Sequence, residues 1–116
     1  MISDKERKYR EELFRLMQEN PELPVIPFVD GEIVGRDDFG TWMGSWGCAC
    51  VDEYIIPRVS WSPVIFKSDG DVEDTLEKCL TAKEYDALPD SDEEREKVFD
   101  ALPWVKAIIV CICLPN

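Results

Sequence analysis

Apolar residues recur at helical spacing near the start of the chain and predict an amphipathic helix. Ser3 and Glu6 have the spacing of a capping box, in which each side chain satisfies a backbone donor of the first helical turn. Pro21 disfavours helical geometry in the residue before it, so we expect the helix to end near Asn20. The apolar stripe consists of Tyr9, Leu13, Leu16 and Met17.

Residues 23–68 have the pattern of β-strands separated by turn residues. Residues 25–29, then Asp30-Gly31, then residues 32–34 predict a hairpin with a type I′ turn. Pro24 and Pro27 cannot donate hydrogen bonds to a neighbouring strand, so this first strand is expected at an edge of the sheet.

Three more strands are predicted further along the chain. Residues 48–56 and 60–67 are two of them, and Pro57 and Pro63 limit how central they can be. The last strand, residues 105–114, is apolar at nearly every position. This composition is typical of a strand buried on both faces, so we expect it in the middle of the sheet.

Short helices are predicted between the last two strands. Thr81 with Glu84, and Ser91 with Glu94, repeat the capping-box spacing. Helix, strands, helices and a final strand then follow one another, which predicts an α+β fold with a mostly antiparallel sheet of about four to five strands. A chain of 116 residues is expected to form one domain, residues 1–116. An apolar stripe supports the first of these helices: Val72, Leu76, Cys79 and Leu80.

Negative charge is concentrated in the second half of the chain. The sequence has 25 Asp and Glu, 13 Lys and Arg and no His, which gives a formal net charge of -12. Residues 69–100 contain 13 acidic and 4 basic residues, whereas residues 1–20 contain 5 of each. Such a field repels nucleic acid and anionic membranes and attracts basic surfaces. We therefore expect a basic protein partner, and neither direct nucleic-acid binding nor membrane binding.

Five carboxylates cluster near one predicted helix start and are the candidate partner-binding residues. An acidic face of this kind can mimic nucleic-acid phosphate, or can block a basic toxin as an immunity-type inhibitor. The alternative is that the acids serve solubility alone. The five residues are Asp90, Asp92, Glu93, Glu94 and Glu96.

Large side chains alternate with glycines in residues 41–47. Trp42, Met43 and Trp46 suit an aromatic recognition surface, because Trp and Met are enriched in interfaces. The alternative, which the composition favours, is a strand with a glycine bulge whose tryptophans fill the core. Of the three, Trp46 is the candidate surface residue and joins the partner-binding set.

Two Cys-x-Cys pairs raise the alternative of a zinc-binding module. Cys48 and Cys50 form one pair, and Cys111 and Cys113 form the other; if their strands are neighbours, four sulfurs share one side of the sheet. Residues two apart on a strand are roughly 7 Å apart, which is wide for tetrahedral ligation. Buried, reduced thiols are the favoured interpretation, and no cofactor is expected.

Catalysis is not expected. Without histidine, Ser-His-Asp and Cys-His arrangements cannot exist within the chain. Neighbouring acids such as Asp37-Asp38 and Asp52-Glu53 point to opposite sides of a strand and do not converge on a substrate. The charged first 20 residues do not resemble a signal peptide, and the longest apolar run, residues 107–114, is short of the roughly 20 residues of a membrane span. The cytoplasm is the expected compartment.

Four segments carry a resemblance to a group of known proteins. They are residues 24–30, Trp42-Met43-Gly44, Asp52-Glu53-Tyr54 and Asp100-Ala101-Leu102-Pro103-Trp104. Together they resemble small acidic proteins of unassigned function that anaerobic bacteria and their mobile elements encode. The resemblance implies a bacterial cytoplasmic protein, and it implies no activity and no site residues.

Overall fold

The computed structural model describes residues 1–34 and 40–115 and shows an α+β fold. An N-terminal helix is followed by strands, a block of short helices and a final strand, as the sequence predicts. No helix in the described residues is both long enough and apolar enough to cross a lipid bilayer. The elements in chain order are α1 (Asp4–Glu19), β1 (Val25–Val29), β2 (Ser45–Ile55), β3 (Ile65–Phe66), α2 (Val72–Cys79), α3 (Ala82–Asp86), α4 (Asp92–Asp100) and β4 (Val105–Cys113).

The strands form a four-stranded sheet in the order β1-β4-β2-β3 within the described residues. The predictions that β1 lies at an edge and that β4 is interior are both confirmed. The predicted α+β fold with a sheet of about four strands is confirmed, although the sheet is not purely antiparallel: β1 pairs in parallel with β4, with Val25 opposite Ile108, while β2 and β3 pair antiparallel. A parallel pair needs a long crossover connection, and the chain between β1 and β4 supplies one.

The chain divides into two compact units. The first comprises Met1–Val51 with Lys106–Asn116, and the second comprises Asp52–Val105. Each has its own buried side chains: Leu16 and Ile108 in the first unit, and Leu76 and Phe99 in the second. The expectation of one domain over residues 1–116 stays a prediction.

The first unit is organised around the apolar stripe of α1. The Ser3 hydroxyl accepts a hydrogen bond from the Glu6 N–H at 3.1 Å and caps the helix, and the Asn20 N–H donates to the Leu16 carbonyl at 2.9 Å where the helix ends. Leu16 is buried, and side chains of this size contribute roughly 1.5–3 kcal/mol when they leave water. Its core cluster contains Leu16, Ala49, Ile108 and Val110, with Leu13, Leu23 and Val51 packed against it.

The predicted hairpin after β1 does not form. Gly31 lacks the positive φ that a type I′ turn requires, and residues 32–34 are not a strand. Asp30 organises a different turn: its carboxylate accepts a hydrogen bond from the Glu32 N–H at 2.9 Å, and its carbonyl accepts one from Ile33 at 3.0 Å. An aspartate that binds the backbone two residues later is a known competitor of hairpin turns. The turn buries Ile33.

One strand and two capping boxes were also predicted in the second unit, and only one of these three predictions is confirmed in full. The strand predicted over residues 60–67 is reduced to Ile65–Phe66, because Ser62 closes a turn onto the Val59 carbonyl and Pro63 has no N–H to donate. The capping box of Thr81 and Glu84 is confirmed in both directions. The one predicted for Ser91 and Glu94 is wrong, since Ser91 makes no side-chain cap.

Gly47 is required by the close approach of β4, and its replacement tests this packing. A Cβ atom at Gly47 would lie 2.9 Å from the Cys111 carbonyl oxygen and 2.7 Å from the Cys113 sulfur. The carbonyl belongs to the main chain and cannot rotate away, so we expect Gly47→Ala to lower the free energy of unfolding by about 1–3 kcal/mol in urea denaturation.

Gly31→Ala is the matched control for this substitution. Nothing lies within 4 Å of a Cβ atom at Gly31, so a change within about 0.5 kcal/mol is expected. Equal destabilisation by the two substitutions would contradict the packing of β4 against Gly47.

Candidate interaction surface

Most of the negative charge belongs to the second unit. By sequence, residues 52–105 contain 15 acidic and 6 basic residues, a net charge of -9. By sequence, the first unit contains 10 acidic and 7 basic residues, a net charge of -3. The sequence prediction of uneven charge therefore coincides with a structural division of the chain.

Arg95 is held in a network that links the three short helices of the second unit. Its Nη1 atom lies 2.6 and 2.8 Å from the two carboxylate oxygens of Glu73, and its Nε donates to the Pro89 carbonyl at 2.7 Å. The Tyr85 hydroxyl donates to the same Glu73 carboxylate at 3.1 Å. Glu73 lies on α2, Tyr85 on α3 and Arg95 on α4. We call this group the Arg95 network.

The Arg95 network shifts the pKa values of Glu73 and Arg95. The hydrogen bond from Arg95 lowers the pKa of Glu73 below its ordinary value of 4.5, and the Tyr85 hydroxyl adds to this effect. The hydrogen bond to Glu73 in turn raises the pKa of Arg95. Both groups therefore stay ionised at neutral pH. The positive charge of Arg95 is thus committed to Glu73.

Two lysines of the second unit are also committed to acidic residues. Lys78 Nζ lies 2.9 Å from Asp74 Oδ2 on the same helix. Lys67 Nζ lies 3.7 Å from Glu53 Oε2 and 3.6 Å from Asp100 Oδ1. These contacts use bases that would otherwise offset the negative charge of the second unit.

The five candidate carboxylates remain uncompensated on and beside α4, and we call them the α4 acidic surface. All five residues are exposed, and none forms an ion pair with a residue in the described ranges 1–34 and 40–115. Three of them occupy the first turn of α4, where the helix dipole favours negative charge. A depression of about 220 Å³ beside the Arg95 network is lined by two of them, Asp92 and Glu96. The α4 acidic surface consists of Asp90, Asp92, Glu93, Glu94 and Glu96.

Trp46 is exposed but belongs to the first unit, so it is not part of the α4 acidic surface. Its side chain is 43% exposed and lines a cavity of about 600 Å³ together with Ile2 and Gly44. This exposure agrees with the prediction that Trp46 is the surface residue of residues 41–47, and Trp61 is also exposed, at 75%. Trp46 precedes buried Gly47 on β2, and alternate strand residues face opposite sides.

Trp104 has a different environment from the exposed Trp46 and Trp61. It is half-buried, its indole N–H donates to the Phe99 carbonyl at 2.8 Å, and its ring meets the Phe99 ring edge-on with centroids 5.1 Å apart. An indole buried with its polar atom satisfied serves packing. We assign Trp104 to the interior of the second unit.

The cysteines do not occupy the buried positions that the sequence favours. Cys48, Cys50 and Cys113 are exposed and Cys111 is half-buried, because Cys48 and Cys50 alternate along β2 with buried Gly47 and Ala49. One sulfur pair is close: the Cys48 thiol donates to Cys111 Sγ at 3.8 Å. Among the described residues, no three side chains of Cys, Asp or Glu are arranged to hold a metal ion. The four sulfurs of the zinc alternative therefore do not form a ready site.

The paired acids noted in the sequence have separate roles. Asp52 accepts hydrogen bonds from the Glu53 N–H and the Ser68 hydroxyl, each at 2.7 Å, while Glu53 contacts Lys67. These contacts hold backbone and neighbouring side chains in place. The pair Asp37-Asp38 lies outside the described residues.

Sequence reasoning identified the α4 acidic surface but missed the Arg95 network. Glu73 and Arg95 are 22 positions apart, so neither helical nor strand spacing relates them. Their only sequence signal is that each is a charged residue in a segment that predicts helices, which is true of many others. The network depends on the tertiary arrangement of α2 and α4.

No protein-family model, no curated protein and no solved structure matches this chain. The geometry of the chain's own residues is therefore the basis for assigning a function.

Acid titration of stability tests the Arg95 network. Because the pKa of Glu73 is lowered in the folded state, its stabilising effect is present above pH 4.5 and is lost as the pH falls through the folded-state pKa. We expect Glu73→Gln to be less stable than the wild type at pH 7 and to lose less stability between about pH 5 and pH 3, measured by urea denaturation.

Glu77→Gln is the control, because it makes the same charge change on the same helix. Glu77 is exposed and forms no ion pair with a described residue. The Glu77→Gln protein is expected to keep the acid sensitivity of the wild type. An identical pH dependence of stability in both variants would contradict the Arg95 network.

Proposed function

We propose that this chain is a non-catalytic accessory protein that binds a positively charged protein through the α4 acidic surface. The observation that carries the proposal is the absence of ion pairs at these five carboxylates within the described part of the chain, although Arg95 lies among them. Arg95 cannot serve its neighbours on α4 because Glu73 holds it. Lys and Arg side chains of a partner are the natural complement of the remaining charge.

The physics of exposed charges sets the expected properties of the complex. A single exposed ion pair is worth about 0.2–1 kcal/mol, so affinity requires several pairs acting together. An electric field of one sign also accelerates association. Salt screens this field, because the Debye length falls from about 10 Å at 0.1 M to about 3 Å at 1 M. Binding is therefore expected to be fast and strongly dependent on salt.

Two specific roles use this chemistry. Carboxylates on one face can imitate the phosphates of nucleic acid and occupy the binding site of a DNA- or RNA-binding protein. They can equally neutralise a basic toxin, as an immunity-type inhibitor does. The resemblance to small acidic proteins of bacteria and their mobile elements supports a bacterial cytoplasmic setting for either role. Trp46 is proposed as a separate, apolar contact, and its exposure supports this.

The alternative function, a Cys-ligated zinc module, has one supporting observation. Thiolates bound to one tetrahedral zinc ion at about 2.3 Å lie about 3.8 Å from each other, and the sulfurs of Cys48 and Cys111 are 3.8 Å apart. Cys50 and Cys113 would have to move to complete the ligand set, since no group of three ligands exists in the described residues.

Capture of basic proteins at two salt concentrations tests the proposal. Immobilised wild-type protein is expected to retain a basic protein from bacterial lysate at about 0.1 M salt and to release it at about 1 M. The retained protein is then purified and its affinity is measured directly. The α4 variant combines Asp92→Asn, Glu93→Gln, Glu94→Gln and Glu96→Gln.

The expected loss of affinity in the α4 variant is about tenfold or more, since up to four weak ion pairs are removed together. The control variant makes the same charge change on exposed acids of the first unit and is expected to keep wild-type affinity. Equal weakening of both variants would show that net charge, and not the α4 acidic surface, determines binding, and no salt-sensitive partner at all would show that the acids serve solubility alone. The control combines Asp4→Asn, Glu11→Gln, Glu22→Gln and Glu32→Gln.

A further inference from the structure

Two thiols on neighbouring strands of the first unit are nearly in bonding position. Cys48 lies on β2 and Cys111 on β4, and these strands are adjacent in the sheet. Their sulfur atoms are 3.8 Å apart. A disulfide has a sulfur–sulfur distance of about 2.05 Å, so the two atoms must approach by about 1.8 Å. Cys48 is exposed, so its sulfur can reach and attack an external oxidant.

Two further thiols surround this pair. The charges of Cys113 and Cys50 act on Cys111 together with that of Cys48, which shows that all three lie near it. Cys113 is also next to Gly47, since a Cβ atom there would lie 2.7 Å from its sulfur. The first unit therefore contains four of the five cysteines of the chain, and three of them act on the fourth, Cys111.

We propose that Cys48 and Cys111 form a reversible disulfide by exchange with a low-molecular-weight disulfide. This modification is independent of the α4 acidic surface, which belongs to the second unit. Two adjacent sulfurs are sufficient for it, whereas structural zinc requires four ligands that the described residues do not bring together. Reversible oxidation of this kind is the usual role of disulfides in reducing compartments.

The reaction has two steps. The Cys48 thiolate attacks one sulfur of the external disulfide, so that a mixed disulfide forms and one small thiolate leaves. The Cys111 thiolate then attacks the Cys48 sulfur, which forms the internal disulfide and releases the second small thiolate. The protein loses two protons and two electrons, and the external disulfide takes up both as it becomes two small thiols.

Cys48 acts first because Cys111 is the poorer nucleophile at neutral pH. Burial raises the pKa of Cys111 to about 11, and the hydrogen bond with Cys48 contributes to this rise. At pH 7 only about one Cys111 side chain in ten thousand is then a thiolate. Only the thiolate of Cys111 attacks, and burial still opposes its ionisation in the mixed disulfide, so the second step is expected to be faster at higher pH.

Disulfide mapping tests the proposal. Reduced, folded protein is incubated with oxidised glutathione at pH 7 and pH 9, free thiols are alkylated, and peptides are identified by mass spectrometry. A linked Cys48–Cys111 peptide is expected to predominate, to form faster from the mixed disulfide at pH 9 than at pH 7, and to disappear with dithiothreitol.

Matched variants separate the two steps. Cys111→Ser is expected to stop at a glutathione adduct on Cys48, and Cys79→Ser, which changes the half-buried cysteine of the second unit, is expected to leave the linkage unchanged. Circular dichroism verifies that each variant is folded, and the linkage in wild-type protein tests the proposal without any variant.

Two results would overturn the proposal. One is a Cys48–Cys111 peptide that is no more abundant in folded protein than in protein oxidised in urea, because the folded geometry would then confer no preference. The other is about one equivalent of zinc in the purified protein that protects both thiols from oxidation, because the sulfurs would then be metal ligands.

Discussion

The contact between Arg95 and Glu73 determines how the second unit presents its charge. It joins α2 to α4, with Tyr85 of α3 on the same carboxylate, and it directs the guanidinium of Arg95 away from the acids that flank it on α4. An unattached Arg95 would be within reach of Asp92, which lies three residues earlier on α4. Because Glu73 holds Arg95, and Lys97 at the other end of α4 forms no ion pair with a described residue, the α4 carboxylates have no cation bound to them. The same contact therefore holds α2, α3 and α4 together and leaves the α4 acidic surface without ion pairs of its own among the described residues.

The first unit follows a different principle, which is close packing of strands. Leu16 of α1 packs with residues of β2 and β4, and Gly47 allows β4 to approach β2 closely. This approach brings Cys48 and Cys111 into contact. The absence of side-chain volume at Gly47 thus has a chemical consequence, since sulfur atoms that would otherwise be separate can react with each other. Charge is nearly balanced in this unit, so its chemistry depends on thiols.

Features determined by local chemistry were predictable from the sequence. Pro27 cannot pair on both sides and places β1 at an edge, and the hydroxyl of Ser3 fixes the start of α1. Features determined by long-range contacts were not predictable from the sequence. Two examples are the parallel pairing of β1 with β4 and the Arg95 network. The hairpin predicted over residues 25–34 is wrong for a third reason: the Asp30 side chain forms a different local turn that competes with it. For the candidate site, the sequence located the acidic cluster near the start of α4, whereas the reason for its missing ion pairs required the tertiary structure.

The central claim is that the α4 acidic surface carries a strong, uncompensated negative potential, and paramagnetic relaxation measures that potential directly. Backbone amides are compared in the presence of a cationic and an anionic nitroxide of the same size. The account predicts that the cationic probe relaxes amides of residues 90–97 much more than the anionic probe does, with no such excess at residues 4–11, which contain three acids and four bases. Equal ratios of the two relaxation effects in these two segments would contradict it.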